Sequence, residues 1–219
     1  MTDREELVRQ WQAGWSKSRG WTTVVDEDGL LTVRAGEQGR AMEYVVLDAD
    51  AHPERLERAA GLALATTGAR GSAWVTVVTD DREARADELA ELGLEIQRDK
   101  EWLMTIRLSD QPKLQLHPRY ALVSELESDV IITRATIHGA VASSGRMAVV
   151  GTDAIADRIE TDPQHRRRGL GSAVMAALVE AAAAQGATRG VLAASKDGLR
   201  LYRSLGWKVA ADIVVGRSR

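Results

Sequence analysis

Alternation of apolar and polar residues divides this chain into short strand-like segments, with helical segments between them. The first helical segment runs from Asp3 to about Lys17, because Leu7, Trp11 and Trp15 recur at the spacing of one helical face. We interpret this apolar stripe as packing against the protein's own core. The alternative is a helix that binds a partner.

The rest of the first half alternates between predicted strands and helices. Short alternating runs separated by Asp-Gly and Gly-rich turns predict an antiparallel meander. A helix, a strand, a second helix and a long apolar run follow. In chain order these segments are residues 21–25, 30–34, 42–48, 53–67, 73–79, 81–92 and 94–108.

The second half repeats this order. The Leu-Gly step that ends at Gly93 recurs at Gly206, and this period of about 113 residues indicates duplicated domains rather than a solenoid. Residues 109–118 contain two prolines and read as a linker. We therefore predict a first half at 1–110, a linker at 111–119 and a second half at 120–219. The predicted segments of the second half are 120–126, 130–142, 146–152, 155–161, 170–184, 190–194, a helix that begins near residue 197 and ends before Gly206, and 208–215.

Composition narrows the functional classes. The length of 219 residues allows one large domain or two small ones, and the net charge of −3 gives no general attraction to nucleic acid or anionic membranes. The absence of cysteine excludes disulfides and thiolate zinc sites, and we expect no metal. The charged N-terminus is unlike a secretory signal, and long apolar runs are absent, so we expect a cytoplasmic protein.

An arginine- and glycine-rich loop joins the alternating segment 155–161 to the Ala-rich helical segment 170–184. Its pattern is Arg166-x-x-Gly169-x-Gly171. The first amides of a helix are unpaired and lie at its positive end, and glycines lack the Cβ atoms that would block a ligand. A phosphate or pyrophosphate fits there. The spacing matches neither a Walker loop nor a dinucleotide fingerprint.

This loop resembles the acyl-CoA pyrophosphate loop of the GNAT (Gcn5-related) N-acetyltransferase superfamily, usually written Gln/Arg-x-x-Gly-x-Gly/Ala. Downstream, Leu201-Tyr-x-x-Leu-Gly-Trp207 resembles the superfamily's Leu-Tyr-x-x-Leu-Gly-Phe signature, with Trp207 in the Phe position. The resemblance covers residues 153–216. It implies an α/β (α+β) fold with a mixed, mostly antiparallel central sheet flanked by helices, here in two GNAT-like halves.

The two halves differ at the loop. The first half carries Asp-Ala-Asp-Ala-His-Pro at 48–53, and Leu89 stands where the second half has Tyr202. We therefore expect one acetyl-CoA site, which lies in the second half. We expect the first half to be a degenerate copy that has a structural role and forms one wall of the substrate site. Only Glu127-Ser-Asp129 joins the first two strands of the second half, where the superfamily inserts two helices that shape the acceptor pocket.

The resemblance implies a role for individual residues. Tyr202 would donate a proton to the CoA sulfur, and a tyrosine packed on the sheet is the alternative. A backbone N–H near Ile159 or Thr161 would polarise the thioester carbonyl. Asp157 is the first choice for the general base, with a structural carboxylate as the alternative; Glu160 and His138 are lesser candidates. Strand alternation places Asp157, Ile159 and Thr161 on one face, and Arg158 with Glu160 on the other.

The predicted acetyl-CoA contacts come from the last strand before the loop, the loop and the following helix start. An exposed charge run or a nucleic-acid patch is the alternative for the arginines, and a helix cap is the alternative for Ser195. These contacts are Ile159, Glu160, Thr161, Arg166, Arg167, Arg168, Gly169, Leu170, Gly171, Ser172 and Ser195.

The leading functional hypothesis is an acetyl-CoA-dependent N-acetyltransferase. It would transfer an acetyl group to a primary amine of a small molecule or protein, by direct attack in a ternary complex. A non-catalytic acyl-CoA-binding regulatory module is the first alternative. A nucleic-acid-binding module is the second, and the acidic charge balance disfavours it. We expect neither nucleic acid nor membrane as partner, and a monomer or a homodimer. The acceptor and the acyl-chain preference stay open.

Overall fold

The computed structural model describes residues 3–66, 71–114 and 116–218. The chain folds into two compact units. The first unit comprises Met1–Leu103 with Val209–Arg219, and the second comprises Met104–Lys208. In each unit a mixed, mostly antiparallel sheet is flanked by helices, as the sequence predicts.

The first unit contains a sheet in the order β1-β2-β3-β4-β12, and β5 pairs with β12. Helix α2 packs on β3 and β4, where apolar residues such as Val46, Leu56 and Val75 are fully or almost fully buried. Its elements in chain order are α1 (Asp3–Arg19), β1 (Thr22–Glu27), β2 (Leu30–Glu37), β3 (Arg40–Val46), α2 (Glu54–Ala65), β4 (Ala73–Thr79), α3 (Arg82–Glu91) and β5 (Glu95–Ile96), followed by β6 (Glu101–Arg107), whose residues from Met104 onward fall in the second unit.

The last strand of the chain, β12 (Lys208–Arg217), lies in the sheet of the first unit. It pairs antiparallel with β4, from Asp212 opposite Thr79 to Arg217 opposite Trp74. The sequence pattern assigns this strand to the second half, so the compact units differ from the predicted halves 1–110 and 120–219. Apolar alternation identifies a strand, but it does not identify the strand's neighbour in the sheet.

The second unit has the strand order β6-β11-β10-β9-β8-β7. Strands β10 and β11 pair in parallel, whereas β7, β8, β9 and β10 pair antiparallel. Short 3-10 turns lie at Leu108–Asp110 and Pro163–His165. The remaining elements are β7 (Ala121–Glu127), β8 (Val130–Ile137), β9 (Ala140–Val150), β10 (Asp153–Thr161), α4 (Leu170–Ala184), β11 (Arg189–Ala194) and α5 (Lys196–Ser204).

Two tight turns join the first three strands of the second unit into consecutive hairpins. Ser128 and Asp129, with φ of 48° and 63°, join β7 directly to β8, so two helices do not intervene, as predicted. The predicted single strand 130–142 is instead a hairpin of β8 and β9. Its turn is His138-Gly139, where φ is 50° and 81°. Apolar alternation on both sides of a two-residue turn hides the turn from a pattern search.

Helix α4 covers one face of β8, β9 and β10. Gly145 on β9 permits this close approach, because a Cβ there would overlap Ile159 Cδ1 and lie 2.9 Å from Val174 Cγ1. Side chains that neighbour Gly145 on β9 therefore point to the opposite face, away from α4. This assignment of faces locates the candidate site residues.

Within the described residues, every helix is too short or too polar to span a lipid bilayer. No group of three or more histidine or carboxylate side chains that could hold a metal ion occurs in the same part of the chain.

Candidate functional site

Strand β10 contains a β-bulge beside the predicted site. It pairs with β9 as far as Asp157 opposite Arg146, and pairing resumes at Glu160 opposite Ser144. Arg158 has a positive φ of 51°, which an arginine adopts at an energetic cost. A bulge takes an extra residue out of the ladder and shifts the side chains that follow to the other face.

Because of the bulge, the side chains of β10 do not alternate between the two faces of the sheet as predicted. Asp157 and Glu160 face the same side as their partners Arg146 and Ser144, on the face away from α4. Thr161 instead faces α4, where its Oγ1 atom would lie 3.7 Å from a Cβ on Gly171. The prediction that Asp157 shares a face with Thr161, opposite Glu160, is therefore wrong. The two candidate carboxylates lie on one face.

The parallel strands β10 and β11 part next to this bulge. Their register runs from Asp153 opposite Arg189 to Ala156 opposite Leu192. Beyond that pair, β10 continues to Thr161 and β11 continues to Ala194 without pairing to each other. The edges of the parted strands can form backbone hydrogen bonds with an extended ligand.

The loop after β10 is shaped by local hydrogen bonds. Asp162 Oδ1 accepts a hydrogen bond from the Gln164 amide at 2.8 Å, and Arg166 Nε donates to the Thr161 carbonyl at 3.2 Å. Arg167 and Gly169 then adopt left-handed conformations with φ of 60° and 76°. Gly169 is the N-cap of α4, so the cap brings no side chain to the first-turn amides.

The two loop glycines have different structural causes. Gly169 is favoured by its left-handed backbone, and a Cβ there would meet no atom within 4 Å. At Gly171, a Cβ would lie 3.3 Å from Leu201 Cδ2 on α5. Gly171 thus lets α4 begin close to α5, a packing role beyond the predicted access for a ligand.

Tyr120 links the loop to the segment that precedes β7. Its Oη atom accepts hydrogen bonds from Arg119 Nη2 at 3.0 Å and Arg168 Nη1 at 3.2 Å, and it lies 3.2 Å from His165 Nδ1. Burial raises the pKa of Tyr120, but the hydrogen bonds from Arg168 and Arg119 outweigh it and lower the pKa below its ordinary value. Tyr120 therefore fixes the direction of the Arg168 side chain.

Tyr202 lies on α5 and is 7% exposed. Its ring centroid lies 5.9 Å from that of Trp207, and Gly198 makes room for the ring, since a Cβ there would lie 2.9 Å from Tyr202 Cε2. Burial raises the pKa of Tyr202 well above its ordinary value, and the negative charge of Asp157 raises it further. The phenol keeps its proton at neutral pH, and Asp157 is within electrostatic reach.

Ser195 is the N-cap of α5. Its Oγ atom accepts a hydrogen bond from the Gly198 amide at 3.3 Å, which is the capping role considered from the sequence. A contact of Ser195 with acetyl-CoA stays a prediction. His138, a lesser candidate for the base, is an exposed residue of the β8–β9 turn rather than a strand residue.

In the first unit, the strands and the loop that correspond to this site are held together by hydrogen bonds. Strands β3 and β4 pair in parallel from Met42 opposite Ala73 to Val46 opposite Val77, without a bulge. Asp50, from the acidic loop that follows, accepts hydrogen bonds from Thr79 Oγ1 at 2.5 Å and the Asp80 amide at 2.9 Å. A loop carboxylate thus ties the end of β4 to the start of α2.

Sequence reasoning missed three features of this site. Gly198 precedes Tyr202 by one helical turn, so their spacing on a predicted helix is a signal that a search for same-face pairs would have found. Tyr120 lies far from Arg168 along the chain, and no local pattern connects them. The bulge at Arg158 likewise has no local signal, because arginine does not favour a positive φ.

Residues 123–209, which include the bulged strand, the loop and the Tyr202 helix, match the model of the acetyltransferase (GNAT) domain. The match covers 87 of the 219 residues, and this segment is similar to the acetyltransferase (GNAT) domain. No curated protein sequence matches the chain.

Three solved structures of GNAT proteins resemble most or all of this chain in fold. A GCN5-related N-acetyltransferase from Kribbella flavida is 19% identical with a TM-score of 0.71, and the match covers 100% of this chain and 96% of that one. A tandem GNAT protein from the clavulanic acid biosynthesis pathway, solved without AcCoA, is 13% identical with a TM-score of 0.61, covering 86% and 78%. A putative GNAT acetyltransferase from Novosphingobium aromaticivorans is 16% identical with a TM-score of 0.59, covering 96% and 95%. At these identities the likeness concerns the fold.

Proposed function

We propose that this protein is an acetyl-CoA-dependent N-acetyltransferase of the GNAT superfamily that acetylates a primary amine by direct attack in a ternary complex. One observation carries the proposal. Helix α4 begins at a glycine cap beside the point where β10 and β11 part, and the buried, protonated Tyr202 lies on the neighbouring α5. This arrangement joins an anion-binding helix start, a strand edge and a proton donor.

The residues of the loop fit the diphosphate of acetyl-CoA. Gly169 leaves the first-turn amides of α4 without a capping side chain, and a Cβ at this position would project into open space. Arg166, Arg167 and Arg168 are exposed around the loop and add charge-assisted donors. The amides of Leu170, Gly171 and Ser172 would bind phosphate oxygens. Ile159, Glu160 and Thr161, on the parted edge of β10, would bind the pantetheine amides through their backbone.

Acetyl-CoA supplies an activated acetyl group whose transfer releases a thiolate. Tyr202 would donate its phenolic proton to that sulfur, because a phenol holds its proton at neutral pH and can form a hydrogen bond with the nascent thiolate. Gly198 and Trp207 hold the ring in place.

The bulged strand β10 offers groups for the other two catalytic roles, which are polarising the thioester carbonyl and accepting the proton of the amine. A bulge takes backbone groups out of the β10–β9 ladder, so the N–H of Arg158 or Ile159 is suited to polarise the thioester carbonyl. Asp157 would accept the proton of the attacking amine, directly or through water. Glu160 lies on the same face and is the second candidate for this role.

The hydrogen-bonded loop of the first unit supports the proposal that the protein has a single cofactor site. Asp50 is bound to Thr79, to the Asp80 amide and to Arg4 Nη1 at 2.7 Å, so this loop carries a carboxylate engaged within the protein where the second unit carries exposed arginines. We propose that the first unit is a degenerate copy that has a structural role and forms one wall of the substrate site.

The proposal is tested in two steps with the full chain. Thermal unfolding is measured with CoA, acetyl-CoA and longer acyl-CoAs, and a ligand that binds only the folded state raises Tm. Thiol release is then measured across an amine library, with Tyr202→Phe as the variant. We expect stabilisation and thiol release. Stabilisation without acetyl transfer to any amine would indicate the regulatory module instead, and no stabilisation by any acyl-CoA would refute both.

A further inference from the structure

A polar cleft lies on the face of the second unit that points away from α4. Its volume is about 250 Å³. We name it the arginine cleft. It is lined by Ile132, Arg134, Ser144, Gly145, Arg146, Arg158 and Glu160.

The strand register explains how these side chains meet. Ile132 lies opposite Arg146, which lies opposite Asp157, so one cross-strand row runs from β8 through β9 to β10. Arg134, Ser144 and Glu160 form the adjacent row. Cross-strand neighbours share a face, and the bulge at Arg158 is what brings Glu160 onto it.

The cleft borders the position where the acceptor amine must react. Asp157 is the first residue of β10 beyond its last pair with β11, and it faces the same side as the cleft through its pairing with Arg146. An acceptor with its nitrogen at Asp157 would therefore extend along β10 and β9 into the arginine cleft.

The charged groups of the cleft discriminate between acceptors. Three arginines and one glutamate line it, and Arg134 is bound by Glu125 at 2.9 Å and Glu127 at 2.8 Å. Arg146 and Arg158 contribute the other two guanidinium groups, and each of these also interacts within the protein. Because a guanidinium has five N–H donors, one that is already engaged within the protein can still bind an anion.

The chemistry of the acceptor decides whether this lining is used. A neutral acceptor would remove water from the guanidinium groups without replacing its hydrogen bonds by a charged partner, which costs desolvation energy. A carboxylate or phosphate would form charge-assisted hydrogen bonds instead. The lining therefore favours an acceptor with an anionic group.

We propose that the acceptor is an amine that carries an acidic group, and that Arg146 and Arg158 in the arginine cleft bind this group. This inference rests on the proposed acetyltransferase function. Asp157 and Glu160 bind the amino end of the same molecule, so the cleft recognises a compound with a cationic and an anionic end.

Matched acceptor pairs test the inference on the wild-type chain. Amino acids are compared with their carboxamides, and aminoalkyl phosphates with the corresponding amino alcohols, by thiol release at saturating acetyl-CoA. We expect kcat/KM for one of the acidic series to exceed that of its neutral partner at least about 10-fold, the effect of a charge-assisted contact. The pair with the larger ratio distinguishes carboxylate from phosphate. Equal or better turnover of the neutral partners in both series would overturn the inference and leave the acetyltransferase function standing.

Variants then assign the preference to the cleft. Arg146→Gln and Arg158→Gln should each raise KM for the acidic acceptor about 10-fold and leave KM for acetyl-CoA unchanged. Arg34→Gln, which removes an exposed strand arginine of the first unit, is the matched control and should change neither value. An unchanged acid-to-neutral ratio in both cleft variants would also overturn the inference.

Measurements of amine binding test the arginine cleft independently of acetyl transfer. If no amine releases thiol, the acetyltransferase proposal fails, and calorimetry with the same acidic and neutral amines in the presence of CoA tests the cleft alone. Binding of an acidic amine that Arg146→Gln weakens would support the cleft. Equal binding by the wild type and the variant, or no binding, would refute it.

Discussion

Tyr120 Oη accepts a hydrogen bond from Arg168 Nη1 at 3.2 Å, across 48 residues of chain. The tyrosine precedes β7, and the arginine belongs to the loop that would bind the diphosphate of acetyl-CoA. Tyr120 touches no reacting atom in this scheme. Its role is to position Arg168.

Replacement of Tyr120 by phenylalanine should weaken acetyl-CoA binding through this arginine. We expect Tyr120→Phe to raise KM for acetyl-CoA about 3- to 10-fold, because a hydrogen bond to a charged group is lost, and to leave kcat unchanged. S-acetylpantetheine lacks the diphosphate, so kcat/KM for this shorter donor should not change. Steady-state kinetics with both donors measure the difference.

The matched control for Tyr120 is Tyr44→Phe. Tyr44 is also buried, and its hydroxyl lies 2.9 Å from Thr66 Oγ1 in the first unit. This variant should leave KM for both donors unchanged. An equal loss with both donors in Tyr120→Phe would show a general structural effect and contradict the positioning role.

Tyr202→Phe should lower kcat about 100-fold or more, the usual contribution of a positioned general acid. The dissociation constant of CoA, measured by calorimetry, should change much less, because the phenol acts on the leaving sulfur. A variant with the kcat of the wild type would remove Tyr202 from the mechanism.

The raised pKa of Tyr202 also predicts a pH dependence of stability. A phenol whose pKa is higher in the folded state stabilises the fold below its unfolded pKa of about 10, and this contribution is lost as pH rises above that value. The free energy of unfolding of the wild type should therefore fall more steeply than that of Tyr202→Phe between about pH 10 and pH 11. Denaturant unfolding of both proteins at several pH values tests this, and parallel curves would contradict the burial of an ionisable phenol.

Gly198→Ala should disturb Tyr202 without touching any other proposed catalytic group. The added Cβ would lie 2.9 Å from Tyr202 Cε2, closer than carbon atoms tolerate, so the ring must move. We expect kcat to fall about 10-fold or more, because small displacements of a catalytic group are costly. Gly61→Ala on α2, where a Cβ would meet nothing within 4 Å, is the control and should retain full activity.

The bulge makes Asp157 and Glu160 comparable candidates for the base, and variants distinguish them. We expect Asp157→Asn to lower kcat about 10-fold or more, whereas Glu160→Gln should act chiefly on KM for the acceptor. If Glu160→Gln lowers kcat and Asp157→Asn changes only KM, the roles are exchanged.

Local patterns predict much of the second unit. Helix α4 has the predicted bounds, 170–184, because a long apolar run, a preceding glycine and Gly186 define both ends. The tight β7–β8 turn is also visible, since few residues separate two alternating runs. These features depend on neighbours in the sequence.

Features that depend on distant residues are not predictable in the same way. Arg158 has its positive φ where the pairing of β10 with β9 shifts register, and this bulge reverses the faces of Glu160 and Thr161. The hydrogen bond between Tyr120 and Arg168 joins segments with no shared pattern. The neighbour of β12 is set by tertiary pairing with β4.

The placement of β12 has a consequence for biosynthesis. Residues from Val209 onward are synthesised after the whole of the second unit, yet they complete the sheet of the first unit. During translation the sheet of the first unit therefore lacks a strand until these residues have been made, and the exposed edge of β4 must be kept from pairing with other nascent chains. Separating the two units by cutting the gene between residues 110 and 120 would leave the first fragment without that strand, so neither fragment would contain the complete sheet of the first unit.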